Sequence, residues 1–254
     1  MHAETVSPAV ALFVLVTALA TSTLSGVFGM AGGLVLMGAL ALVLPVGAAF
    51  VAHGVIQIVA NGGRAVLHRR FVQWRIVGFY ALASAAAALA VSAVSYTPSK
   101  PLLYLLLGMI PVLAWVPKER LTLDAARPAH ALASGFLVTG LNLLAGVAGP
   151  LLDIFFVRTA LTRHQIVATK AATQVFSHAA KVLVYGVPLL GSAHDSALPL
   201  WLLVAAAPLS VAGTVLGGRI LDRLTDRSFL TWTRWIVTGI GVAYLARAAQ
   251  LMTA

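Results

Sequence analysis

Cysteine is absent from this chain, and charged residues are scarce. None of the 254 residues is a cysteine, which excludes disulfide bonds, thiol catalysis and cysteine-ligated metals. Only 9% of the residues are charged, against about 25% in a typical soluble domain. Hydrophobic residues make up 60%, and the mean hydropathy is +0.97. We therefore predict an all-α integral membrane protein. Because no low-complexity segment or linker divides the chain, residues 1–254 are interpreted as a single membrane domain.

Acidic residues are fewer than basic ones. The chain has 17 Lys and Arg against 7 Asp and Glu, for a net charge of +10. In a soluble protein this excess would suggest a nucleic-acid partner. Here most basic residues lie in short loops between apolar runs, as expected from the positive-inside rule and from contact with anionic lipid. We predict membrane lipids, and not nucleic acid, as partners.

Ten apolar segments are candidates for membrane helices. The second and seventh have 15 residues each, about 22 Å of helix, which is short for a hydrocarbon core of about 30 Å. Each follows a glycine-containing break, GMAGG (29–33) or GVAGP (146–150). Whether these two segments cross or re-enter is left open by their length. The segments are about 8–28, 31–45, 48–67, 74–95, 99–117, 128–145, 147–161, 164–187, 199–221 and 230–251.

A constant offset of 117 residues relates the two glycine breaks, since 146 − 29 = 117. The same offset matches polar residues of the third segment with those of the eighth, without a gap. We therefore predict internal repeats at about 8–117 and 128–251, joined by a connector at 118–127. The matched pairs are His53 with Lys170, Gln57 with Gln174, Asn61 with His178 and Arg64 with Lys181.

Loop charges predict that the two repeats are inverted. The loop HRRFVQWR (68–75) has three arginines, whereas its counterpart GSAHDSALP (191–199) has none. The loop YTPSK (96–100) has one lysine, whereas its partner region 219–234 has four arginines. Basic loops thus alternate oppositely in the two halves. This arrangement puts both termini outside the cytoplasm and the connector 118–127 inside it.

A polar stripe on the eighth segment points to an anion. Its four residues, which begin at Lys170 and end at Lys181, occupy one helix face roughly 80° wide. Cations in a bilayer core cost at least about 2.5–3.5 kcal/mol each, so we expect them to face a cavity or a partner. Asp153 is the one carboxylate inside the predicted segments near them. Short helices that start inside the membrane would add inward-pointing N–H groups.

The candidate binding residues combine both stripes with a glycine from each break. They are Lys170, Gln174, His178, Lys181, His53, Gln57, Asn61, Arg64, Gly32 and Gly149. Asp153, His178 and His53 are the candidates for carrying a coupled proton. We predict no metal and no cofactor.

Structural interpretations stay open beside the functional ones. Lys181, Arg64 and Lys170 could extend their charges to an interface. The glutamines and glycines could serve helix packing alone, and the histidines could be packing residues. Asp153 could be a structural partner of Lys170 or Lys181.

The glycine-rich breaks resemble those of a known family. SGVFGMAGG (25–33) and GVAGP each lead into a short helix and then a helix with small and polar residues. With the basic loops and the chain length, this resembles the sulfite exporter TauE/SafE family, also called toluenesulfonate uptake permeases. The resemblance implies ion-coupled secondary transport of sulfite or organosulfonates across a bacterial inner membrane. Ala31 and Ala148 interrupt the glycine runs, Met37 and Gly38 stand where many members have a proline, and His53 occupies a usually small position. These departures bear on the choice of substrate.

Two other functions compete with a carrier. A passive anion channel would use the same cations. An intramembrane serine protease is less favoured, because LASG (132–135) and TLSG (23–26) lack the leading glycine of a G-x-S-G pattern and only His178 could serve as its base. The sequence leaves the anion, the direction of transport and any homo-oligomer open.

Overall fold

The described residues form ten α-helices. The structure is a computed structural model that describes residues 6–28, 31–117, 121–191, 199–221 and 226–253. Each predicted segment contains one α-helix, and the described residues contain no strand, so the all-α prediction is confirmed. The helices are α1 Pro8–Phe28, α2 Ala31–Val43, α3 Val46–Leu67, α4 Trp74–Val94, α5 Lys100–Met109, α6 Pro128–Ala145, α7 Gly149–Phe155, α8 Arg163–Gly191, α9 Leu200–Leu221 and α10 Asp226–Thr253.

Six of these helices are long and apolar enough to cross a membrane: α1, α3, α4, α6, α9 and α10. Helix α8 has 29 residues and carries the polar stripe. The protein is therefore a multi-pass membrane protein. Of the six apolar helices, α3 is the most deeply buried inside the protein and α10 the least.

The second and seventh segments form shorter helices than predicted. Helix α2 has 13 residues and α7 has 7. At 1.5 Å per residue α7 is about 10 Å long, a third of the hydrocarbon core. Pro150 lies in its first turn, where no N–H donor is needed. The helix ends at Phe155, whose carbonyl oxygen accepts a hydrogen bond from the Ala125 N–H (2.8 Å) in place of a donor from a further turn.

The fifth segment is not a single α-helix. Helix α5 ends at Met109, and Ile110–Trp115 continues as a 3-10 helix. Pro111 explains the change, because it has no N–H to donate to the carbonyl four residues earlier. At the other end, the Ser99 hydroxyl accepts a hydrogen bond from the Leu102 N–H and caps the first turn.

Most close helix pairs join the two halves of the chain: α1 packs on α9, α4 on α6, α3 on α8 and α5 on α10. Glycines permit the closest of these approaches. A Cβ placed on Gly217 would lie 2.2 Å from the Thr23 carbonyl oxygen, and one on Gly135 would lie 2.3 Å from the Tyr80 carbonyl oxygen. Small residues at such crossings let helix backbones touch where lipid offers no hydrophobic driving force.

Helices α3 and α8 run antiparallel through the protein. A Cβ on Gly54 would lie 2.7 Å from Val182 Cγ2, and one on Gly62 would lie 3.9 Å from Val175 Cγ2. Residues later in α3 therefore contact residues earlier in α8. This crossing brings the two polar stripes together away from lipid.

Candidate functional site

Lys181 is the most deeply buried charged side chain of the stripe. Its exposed fraction is 0%. The ammonium donates to the Gly146 carbonyl oxygen, and Nζ lies 3.2 Å from His53 Nδ1 and 5.3 Å from the Phe50 ring centroid. Among the described residues no carboxylate pairs with Lys181. The ammonium instead contacts the carbonyl oxygen at the end of α6 and the imidazole of His53.

Helix α6 ends at Ala145, and Gly146, which caps it, presents the carbonyl oxygen that Lys181 binds. Gly146 is in the left-handed conformation (φ +82°), and its N–H donates to the Asn142 carbonyl oxygen (3.1 Å). Glycine is the common residue at such a position because a side chain is strained there. The last carbonyl groups of a helix have no partner within it and carry its partial negative charge. A cation is therefore well placed at this end.

His53 is held as a neutral imidazole by the contacts of its two nitrogens. Its Nε2 lies 3.0 Å from the Gly33 carbonyl oxygen on α2. A carbonyl oxygen only accepts hydrogen bonds, so Nε2 carries the hydrogen and the Nδ1 lone pair faces the Lys181 ammonium. The ring is 0% exposed.

His178 completes a buried cluster of three basic side chains with His53 and Lys181. The two histidine ring centroids are 5.3 Å apart. Within the described part of the chain, Nδ1 of His178 is buried and has no hydrogen-bond partner. It is the one nitrogen of the cluster that is both enclosed and uncommitted, so it is available to a ligand.

The amides of the stripes lie along the same crossing. Gln57 and Asn61 are buried, and Gln174 is half-buried. Helix α2 passes close to this face, because a Cβ on Gly33 would lie 2.5 Å from Gln57 Nε2. The glycine at 33 thus lets α2 approach the stripe.

The remaining two cations lie toward the opposite end of the stripe and have different partners. Lys170 forms an ion pair with Asp153 of α7, and the two side chains are 21% and 33% exposed. Arg64 donates to the Ser25 carbonyl oxygen in the last turn of α1 (3.3 Å). The structure therefore gathers Lys181, His53 and His178 into one cluster and places Lys170 and Arg64 outside it.

The two predicted glycines differ in surroundings. A Cβ on Gly32 would lie 2.0 Å from the Thr21 carbonyl oxygen and 2.3 Å from Ser25 Oγ, so this residue packs against α1. Gly149 is buried and begins α7. The neighbouring Gly33 and Gly146, which were not candidates, supply the carbonyl oxygens that bind His53 and Lys181.

A chain of buried hydroxyl groups behind α8 was not predicted. The Tyr80 and Ser177 hydroxyl oxygens are 2.6 Å apart, those of Ser177 and Thr139 are 2.7 Å apart, and those of Thr139 and Ser84 are 2.8 Å apart. Asn142 Nδ2 also donates to the Ser177 carbonyl oxygen (3.2 Å). These bonds fasten α8 to α4 and α6. In the sequence, the sign of this network was Asn142, a lone asparagine in the apolar run of α6.

The serine motifs do not assemble a protease site among the described residues. Ser134 donates its hydroxyl to the Ala131 carbonyl oxygen of its own helix (2.9 Å). His178, the required base, packs its ring on His53. These positions do not support a serine–histidine pair.

The family comparison agrees with the resemblance seen in the glycine breaks. Residues 13–245 match the family model described as Sulfite exporter TauE/SafE, which covers nearly the whole chain. Neither the curated proteins nor the solved structures gave a significant match. A match of this extent, on a chain whose described residues include six apolar helices of membrane-spanning length, identifies the family. The chain belongs to the sulfite exporter TauE/SafE family of membrane transporters.

Proposed function

We propose that the protein is a secondary transporter that carries a small sulfur-containing anion, such as sulfite or an organosulfonate, across the bacterial inner membrane. The observation that carries this proposal is the buried cluster on α3 and α8. Lys181 is fully buried with no carboxylate partner among the described residues, and His178 in the same cluster has an unpartnered nitrogen. An anion in contact with His178 would balance the positive charge of the Lys181 ammonium and give the His178 nitrogen a hydrogen-bond partner.

The stripe can recognise a sulfur oxyanion through donors of two kinds. Lys181 supplies charge, and His178 supplies an N–H when Nδ1 is protonated. The amides of Gln57, Asn61 and Gln174 supply neutral donors. Sulfite and sulfonate groups present three oxygens that accept such bonds, and bonds between charged partners are about twice as strong as neutral ones.

Lys170 and Arg64 belong to the outer part of this proposed site. The ion pair of Lys170 with Asp153 has no net charge, and it is partly exposed. We propose that an entering anion meets Lys170 before the central cluster. In that case Lys170→Ala lowers transport while Asp153→Asn, which removes the negative charge of this pair, alters the apparent affinity for the anion.

Alternating access follows from the proposed inverted repeats, at about 8–117 and 128–251. Antiparallel α3 and α8 carry polar residues matched at an offset of 117. The packing of α1 on α9 and of α6 on α4 supports the same exchange, because α1 corresponds to α6 and α9 to α4. We propose that both termini lie outside and that the connector 118–127 is cytoplasmic.

The coupling ion in this proposal is a proton. His53 already uses both ring nitrogens, and Asp153 is paired with Lys170. His178 keeps a buried nitrogen without a partner in the described part of the chain, so it is the preferred carrier. A proton on His178 and an anion beside it would enter together, because each lowers the electrostatic cost of the other in a buried site.

Transport in proteoliposomes tests the function. Labelled sulfite and a simple organosulfonate would be offered with and without a pH gradient. Gradient-driven accumulation is expected for wild type and is expected to be lost in Lys181→Met. Lys100→Met is the matched control, since Lys100 begins α5 away from both stripes. Flux that only equilibrates, whatever the gradient, would indicate a channel. Absence of flux for both anions would refute the substrate class.

A further inference from the structure

The end of α6 presents several oxygen atoms that do not bond within the helix. The Gly146 carbonyl oxygen binds Lys181, and the Leu143 carbonyl oxygen binds the Tyr185 hydroxyl at 2.7 Å. Asn142, in the same last turn, is 2% exposed, and its Oδ1 is buried with no partner in the described part of the chain. A helix C-terminus carries about half a negative charge. Carbonyl oxygens at the C-terminal ends of interrupted helices are the ligands that bind Na⁺ in many transporters with inverted repeats.

In this protein that place is taken by the ammonium of Lys181. The side chain comes from α8 and is fully buried, so its charge cannot be screened by water. Nζ touches the Gly146 carbonyl oxygen on one side and faces His53, whose ring lies against His178, on the other. A bound sodium ion in this position would make the same kind of bridge between helix carbonyl groups and an anion.

The first half of the chain has a similar contact, although its acceptor Ser25 matches Asn142 and not Gly146 at the offset of 117. Arg64, which matches Lys181 at the offset of 117, donates to the Ser25 carbonyl oxygen in the last turn of α1. Helix α1 corresponds to α6 under the same offset. Each half therefore places a tethered cation at the C-terminal end of its first helix. Two independent contacts of one kind argue against an incidental bond.

We propose that the Lys181 ammonium takes the place of a coupling sodium ion, so that the wild-type protein neither binds nor requires Na⁺. Removal of the side chain opens a site for a small monovalent cation between the Gly146 carbonyl oxygen and Asn142. The part of this inference that concerns coupling rests on the proposed function. The part that concerns cation binding does not, and it is measured without transport.

Binding of ²²Na⁺ to purified, detergent-solubilised protein tests the inference. Wild type and Lys100→Ala are expected to show no saturable binding, whereas Lys181→Ala is expected to bind Na⁺ in competition with Li⁺ and not with choline. Saturable binding to wild type would overturn the proposal, as would a folded Lys181→Ala protein that binds none. If Lys181→Ala does not fold, Lys181→Ser is the second variant, because it also vacates the ammonium position and retains a small polar group.

Sulfite flux into proteoliposomes supplies a second readout on wild type alone. Replacement of Na⁺ by choline at constant pH gradient is expected to change the initial rate less than twofold. A fall of tenfold or more would show a sodium requirement and overturn the inference. A protein that moves no sulfite at all would refute the proposed function and still leave the binding experiment to decide on the cation site.

Discussion

Substitution of Gly146 by alanine should damage both stability and transport, because this glycine shapes the end of α6. A non-glycine residue in the left-handed region is disfavoured by about 1–2 kcal/mol. The loss of backbone freedom in the unfolded chain returns about 0.4–1 kcal/mol. The new Cβ would lie 2.9 Å from Met37 Cγ and 3.3 Å from Phe50 Cε1, so these side chains must move as well. We expect a net loss of about 1 kcal/mol or more in the free energy of unfolding.

The effect on transport comes from the carbonyl of the same residue. A Gly146 backbone that leaves φ +82° turns its carbonyl group away from the Lys181 ammonium. We therefore expect Gly146→Ala to lower sulfite uptake by tenfold or more at a temperature where the protein stays folded. The assays are SDS titration in mixed micelles for the free energy of unfolding and proteoliposome uptake for transport.

Gly140→Ala is the matched control, because it lies in the same helix and a Cβ there meets nothing within 4 Å. Alanine in a helix interior is favoured over glycine by about 0.5–1 kcal/mol. The control should therefore be slightly more stable than wild type and fully active. If Gly146→Ala matched Gly140→Ala in both assays, the assigned role of the left-handed turn would be wrong.

Three further predictions follow from other parts of the fold. Gly217→Ala should lower the yield of folded protein and the Tm, because its Cβ would lie 2.2 Å from a backbone oxygen of α1; Gly218→Ala, with nothing within 4 Å, should not. Ser177→Ala should destabilise more than Tyr80→Phe in SDS titration, since the Ser177 hydroxyl has two partners and interhelical hydrogen bonds in membranes average about 0.6 kcal/mol; equal losses would contradict this. Burial and then cationic neighbours lower the pKa of His68. The unfolded chain therefore binds a proton more readily than the folded protein, and wild type should lose stability as pH falls below about 6.5. His68→Gln should lessen that loss at pH 5.5 with no difference at pH 8.

Hydropathy and glycine placement predicted the helices well, because lipid imposes long apolar runs and few residues interrupt them. The ends of α7 were not predictable in the same way. Its last turn stops where the Phe155 carbonyl oxygen accepts the Ala125 N–H, a contact between residues far apart in the chain. Likewise the sequence left Asp153 as a partner of either Lys170 or Lys181, and only the fold places it beside Lys170.

The partners of the polar stripe were partly hidden for a different reason. Every residue has a backbone carbonyl group, so a sequence does not show which of them bind a side chain. The contacts of Gly33 and Gly146 were therefore not predictable. Serine and threonine in membrane helices commonly bond to their own backbone, as Thr21 does to the Thr17 carbonyl oxygen (2.7 Å). In the sequence, the hydroxyl residues of the chain through Ser177 look the same as those that bond only to their own helix. The offset of 117, by contrast, was visible because it matches side chains.

Binding of labelled sulfite to the purified protein tests the central claim most directly. The claim is that an anion is held by the uncompensated charge of Lys181 and the free nitrogen of His178. Equilibrium dialysis of wild type, His178→Ala, Lys181→Met and Lys100→Met should show saturable binding in the first and last and a loss of tenfold or more in affinity in the other two. Equal affinity in all four proteins would show that the anion is bound elsewhere.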